Sequence, residues 1–63
     1  DNVDVVVQIN GKKRALINVK KDTSEENIIN KAIIEKNVKK YIENKEIIKK
    51  IYVKDRLLNL ILK

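Results

Sequence analysis

Apolar residues recur at every second position from Val3 to Ile9 and again from Ala15 to Val19, and the two runs meet at Asn10-Gly11. Strict alternation marks half-buried β-strands, and Asn-Gly between two such runs is the strongest short-range hairpin signal. The first run sets Val3, Val5, Val7 and Ile9 on one face and Asp4, Val6, Gln8 and Asn10 on the other. The second sets Ala15, Ile17 and Val19 against Arg14, Leu16 and Asn18. A two-residue loop at Asn10-Gly11 pairs Val7 with Arg14, which mixes the apolar set of one strand with the polar set of the other. A three-residue loop, Ile9-Asn10-Gly11 with the glycine left-handed, pairs Val5 with Ala15 and Val3 with Ile17 and keeps the apolar sets together. A one-residue slip turns a whole strand over, so the pattern predicts a type I turn with a glycine bulge. Gln8 and Arg14 then fall on the outer face, with Lys12 at the tip.

Beyond Lys20 the spacing changes from two to three and four. Ser24 is a good helix N-cap, Glu25 and Glu26 complement the positive end of a helix dipole, and Asn27 makes a weak capping box. Ile28, Ile29, Ala32 and Ile33 form one stripe, which predicts a helix from about Glu25 to Lys36 laid on the sheet. Ile34 lies off the stripe and is expected to pack on the next segment. There Asn37 can cap a short second helix with Val38, Tyr41 and Ile42 facing inward. The run EIIKKIYV is rich in β-branched and aromatic residues and reads as a third strand, and Asp55-Arg56 turns the chain into a fourth, LLNLIL. A two-residue turn puts Ile51 and Val53 on the face of Leu58, Leu60 and Leu62, with Lys50, Tyr52, Asn59 and Ile61 opposite. The order β-β-α-α-β-β predicts an α+β domain of two layers, with two hairpins in one antiparallel or mixed sheet covered by one longer and one short helix.

Sixty-three residues hold one domain, residues 1–63, whose core is worth only about 3–5 kcal/mol net. With no cysteine and no histidine, the usual zinc sites, thiol redox chemistry and His-based acid-base catalysis are excluded from the chain. Glu25 and Glu26 are consecutive on a helix, splayed about a hundred degrees apart. They read as capping charge, so no catalytic residue and no metal ligand is assigned. No apolar run approaches the ~20 residues of a membrane span, and the chain reads as soluble, without a membrane partner. It begins at Asp1 with the apolar pattern starting almost at once, as expected of a piece excised from a longer polypeptide. The net charge of +6 points to an anionic partner, nucleic acid first. Isoleucine, lysine and asparagine, whose codons are rich in A and T, make up 32 of the 63 residues, and an AT-rich genome would supply lysines with or without an RNA to bind.

Three blocks in order carry a family resemblance. Val7, Gln8, Asn10, Gly11, Lys12 and Arg14 are the first; Ser24, Glu25 and Glu26 open the acidic helix start; Ile51-Tyr52-Val53 with Leu57-Leu58-Asn59 close the chain. Together, from about Val5 to Leu62, they resemble the small C-terminal domain of bacterial-type leucyl-tRNA synthetases. That family commonly has Pro followed by Gly or Asn where this chain has Lys54-Asp55, so the last hairpin lacks its best turn residues. The resemblance implies a parent ligase that joins leucine to tRNA(Leu) with ATP in the cytoplasm, its catalytic and editing domains lying upstream. It implies for this piece a non-catalytic, cofactor-free role at the outer corner of the tRNA, where the D and T loops meet. Its partners are then the tRNA and the upstream domains, with the piece itself monomeric.

Lys12 and Arg14 beside the turn are the first candidates for phosphate contact, set against the ordinary use of lysine to protect an edge strand. Lys50, Lys54 and Arg56 form a second candidate cluster on the other hairpin. Asn10 and Gly11 are assigned to the turn. Tyr52 is expected to lie partly buried over Leu57 or Ile61, stacking on an unpaired base being the alternative. The rival function is a protein-interaction domain using the apolar second face, Val6, Leu16, Tyr52, Leu57 and Ile61.

Overall fold

The computed structural model describes residues 1–63. Alternation at the two ends of the chain yields four strands, β1 (Asn2–Ile9), β2 (Lys12–Lys20), β3 (Ile47–Val53) and β4 (Leu57–Leu62). The segment of helical spacing between them forms α1 (Glu25–Ile33) and α2 (Lys36–Ile42). The α+β class and the β-β-α-α-β-β order are as expected. The strands make one mixed sheet in the order β2-β1-β4-β3, so each hairpin is antiparallel and the two are joined by parallel pairing of β1 with β4.

Both helices lie on one face of the sheet, chiefly over β2 and β1. Between the layers are Val5, Val7, Ile9, Ile17 and Val19 from the first hairpin, Ile28, Ala32 and Val38 from the helices, and Leu58, Leu60 and Leu62 from β4. No polar side chain belongs to this buried set. Ser24 caps α1 by accepting a hydrogen bond from the Asn27 amide at 3.3 Å. The helix stops at Ile33, three residues before the expected Lys36, and α2 is capped at Glu35 without a side-chain bond, not at Asn37. Ile34, expected to pack on the following segment, is 75% exposed in the short link between the helices. Val38 is buried, with Tyr41 and Ile42 against the core, as the spacing predicted.

Two turns depart from expectation, and both departures change which residues share a face. At the first turn Asn10 (φ 51°) and Gly11 (φ 85°) are both left-handed, as a two-residue type I′ hairpin requires, and Ile9 pairs with Lys12. The apolar faces are realigned two residues later. Gln8 pairs with Lys13 but Val7 pairs with Ala15, leaving Arg14 as an extra residue in a β-bulge. The requirement that Val3, Val5 and Val7 share a face with Ala15, Ile17 and Val19 is met; the bulge that meets it lies in β2, outside the turn.

At the second turn three residues, Lys54, Asp55 and Arg56, separate Val53 from its partner Leu57. That extra residue reverses the expected faces of β3. Tyr52 pairs with Leu58 and packs against the core from the helix side, so it does not cover Leu57 or Ile61. Ile51 and Val53, expected among the leucines of the core, pair with Asn59 and Leu57 on the open face. Asp55 takes the left-handed conformation (φ 59°) that Gly or Asn would adopt more readily. Its amide donates to the Tyr52 hydroxyl at 3.4 Å, and its Oδ1 accepts from the Asp22 amide at 3.2 Å, which ties this turn to the loop before α1.

Candidate nucleic-acid interface

The parallel β1–β4 joint ends on two asparagine side chains. Past Ile9 the ladder continues as the Asn10 amide donating to the Leu60 carbonyl at 2.9 Å. Asn10 Oδ1 then accepts from the Leu62 amide at 2.9 Å, and Asn59 Oδ1 accepts from the Gly11 amide at 3.1 Å. The tip of the first hairpin is thus clamped to β4 from both sides. Asn10 and Gly11 serve the turn, as assigned from the sequence, and Asn10 serves the sheet as well.

This clamp holds the two residues that follow. Lys12 is exposed opposite Ile9, on the helix side of the sheet. Arg14, expected on the outer face, is turned by the bulge to the helix side. Its guanidinium carbon lies 4.3 Å from the centre of the Tyr41 ring, and Lys40 Nζ lies 5.3 Å from the same ring. Both distances are within cation–π range, and a planar guanidinium can lie flat on an aromatic face where an ammonium cannot. Arg14 Nε is buried with no protein acceptor. A notch of about 250 Å³ opens here, lined by Lys12, Arg14, Tyr41 and Lys45 together with Ile9, Asn10 and Leu62. No carboxylate lines it.

The second candidate cluster lies elsewhere. Lys54 forms the only ion pair of the chain, its Nζ 2.7 Å from Asp22 Oδ1. The hydrogen bond with Lys54, then its charge, holds the Asp22 carboxyl below its ordinary value, and Asp22 raises Lys54 for the same two reasons. Arg56 is exposed at the end of the turn, its carbonyl accepting from the Val6 amide at 2.9 Å. This turn and the notch sit at opposite ends of β4, roughly 17 Å apart by strand rise. Lys50 pairs with Leu60 in the row that holds Ile9 and Lys12, but on the far edge strand, three spacings or about 14 Å away. The five predicted bases therefore do not form one site. Lys12 and Arg14 come together, and the residues that complete their site, Tyr41 and Lys45, come from α2 and the loop after it.

On the open face the register aligns one residue from each strand. Leu16, Val6, Leu57 and Val53 make an apolar row across all four strands, with Ile51 in the next row of that face and Ile61 one row further. Four of the five residues assigned to this face from the sequence are on it; Tyr52 is replaced by Ile51 and Val53.

No protein-family model matches the chain. Leucine–tRNA ligases of Campylobacter hominis and Fervidobacterium nodosum are each 46% identical to it over all 63 residues. The chain belongs to the leucyl-tRNA synthetase family. It spans 8% and 7% of the length of those two relatives, so it corresponds to one small domain of them. The fold agrees: 98% of the chain superimposes, with a TM-score of 0.92 and 26% identity, on 8% of the leucyl-tRNA synthetase agnB2 of Agrobacterium radiobacter K84. That enzyme was crystallised as a ternary complex with tRNA and LeuAMS. The separated sequence blocks of this leucyl-tRNA synthetase domain meet in space. Asn10-Gly11 of the first block and Asn59 of the third are the two halves of the clamp. No helix of the domain is long and apolar enough to cross a membrane.

Proposed function

We propose that this domain is the C-terminal tRNA-docking module of a leucyl-tRNA synthetase, binding the elbow of tRNA(Leu) in the cytoplasm by backbone charge and shape. The parent enzyme, using ATP, forms leucyl-tRNA, and the domain steadies the acceptor end as it visits the synthetic and editing sites. The observation that supports this best is the gathering of Lys12, Arg14 and Lys45 without a carboxylate, on a fold that superimposes on a synthetase crystallised with tRNA. Lys12 and Arg14 are the first phosphate contacts. Lys50 and Arg56 are exposed further contacts, and Lys54 can join them by leaving Asp22. Such contacts position the RNA and carry no sequence information. With about four phosphates engaged, affinity falls with salt at a log-log slope of roughly −3 to −4. The module alone binds weakly, because its tether to the enzyme supplies effective concentration. The test is tRNA titration and leucylation by the parent synthetase with and without residues 1–63; unchanged affinity and unchanged leucylation would overturn the proposal.

The apolar row on the open face supports a second reading, in which that face packs on another domain or subunit. It predicts association insensitive to salt and to Arg14→Ala.

A further inference from the structure

We infer that the notch between the start of β2 and the end of α2 is a preformed seat for a single RNA backbone phosphate, held by Arg14, Lys12 and Lys45, with Tyr41 as a positioning residue. The inference rests on the RNA-docking reading and specifies where its central contact lies. Four observations converge on it. First, the bulge spends a residue of the β2 ladder to turn Arg14 from the open face onto the helix side, and bulges commonly re-aim a side chain in this way. Second, the guanidinium is laid on the Tyr41 ring, so its orientation is set before any ligand arrives.

Third, this half-buried cation has no carboxylate partner, and its Nε has no acceptor at all. Removing a charge from water without pairing it is costly, and the cation–π contact offsets only part of that cost. The fold therefore retains an arginine whose electrostatic complement it does not contain. Fourth, Lys12 and Lys45 stand at the same notch, and nothing lining it is acidic. A planar donor fork with two mobile ammonium groups matches one phosphate, the arginine supplying directed bonds and the lysines point charge. With a net charge of +6 the domain favours a polyanion over a lone peptide carboxylate.

The test uses the 63-residue chain and a tRNA(Leu) transcript, with fluorescence anisotropy at several KCl concentrations starting from low salt, and circular dichroism to confirm folding. Lys45→Gln removes an exposed charge. It lowers affinity three- to tenfold at low salt and makes the log-log salt slope shallower by about 0.9. Arg14→Lys keeps the charge and loses the stacked fork, so affinity falls while the slope stays the same. Lys20→Gln, at the opposite end of β2, changes neither. If Lys45→Gln and Arg14→Lys bind like the wild type, or if Lys20→Gln weakens binding as much as Lys45→Gln, the notch is not the seat, although the docking role survives. If the wild-type chain does not bind the transcript even at low salt, the docking role falls and the seat with it.

Discussion

The Asn10 side chain is the most informative single perturbation, because it separates turn chemistry from sheet assembly. The two hairpins are joined only through β1 and β4, whose paired residues run from Val6–Leu57 to Ile9–Leu60. Asn10 extends this short joint with its amide to Leu60 and its Oδ1 to Leu62. Asn10→Gly keeps the left-handed backbone and removes only the side-chain acceptor. The half-buried Leu62 amide then loses its partner, at about 1–2 kcal/mol. Glycine's greater freedom in the unfolded chain is roughly offset by its ease at positive φ. Asn10→Ala loses the same bond and must also hold an alanine at φ 51°, adding about 1 kcal/mol or more for a total of roughly 2–3. Against a total stability of about 3–5 kcal/mol the alanine variant is close to unfolding. Asn59→Ala loses the exposed Gly11 contact at about 0.5–1 kcal/mol. Urea denaturation followed by circular dichroism, with m unchanged across the set, measures all three. If Asn10→Gly matches the wild type within about 0.3 kcal/mol, below the ordinary worth of a hydrogen bond, the reasoning is wrong. Equal losses for Asn10→Gly and Asn10→Ala would refute the backbone part of it.

Three further outcomes are expected. Gly11→Ala costs about 1–2 kcal/mol in urea melts for a purely conformational reason, since its φ is +85° and an added Cβ meets nothing within 4 Å. Ile28→Ala, which empties the centre of the interlayer core, costs about 2–5 kcal/mol, and the variant should show little cooperative unfolding at 37 °C. Lys54→Ala moves the Asp22 carboxyl upward, toward its ordinary value, read by carboxyl NMR during an acid titration. The sign follows from the pairing. The lowered Asp22 contributes stability above pH 3.8 that is lost as pH falls through its folded value, and the raised Lys54 contributes below pH 10.5 and loses it as pH rises through its own. In Lys54→Ala the alkaline dependence vanishes and the acid one shrinks, Lys21 still acting on Asp22.

Patterning alone determined the class and order of this domain, because period-two alternation, helical spacing, the Ser24 cap and the Asn-Gly turn are local signals. It also determined that Val3, Val5 and Val7 must share a face with Ala15, Ile17 and Val19, since a one-residue slip would expose half the core. It did not determine how. A two-residue turn with a bulge and a three-residue turn satisfy the same apolar constraint, and the clamp to Asn59, 48 residues away, accompanies the first. The second hairpin was open in the same way. The third loop residue brought Tyr52 under cover and Ile51 and Val53 out, where Tyr52 could brace Asp55 in a conformation aspartate does not favour unaided.

The candidate site divides along this line. Net charge and the bases at Lys12 and Arg14 were legible, because charge is carried by residue type alone. The order β2-β1-β4-β3 was not, and it puts Lys54 and Arg56 at the far end of β4 and Lys50 on the far edge. Nor was the meeting of Arg14 with Tyr41, which depends on a single extra residue in one strand and on the placement of a two-turn helix above it. Side-chain chemistry is written in the chain, but the side of the sheet from which it acts is decided by long-range register.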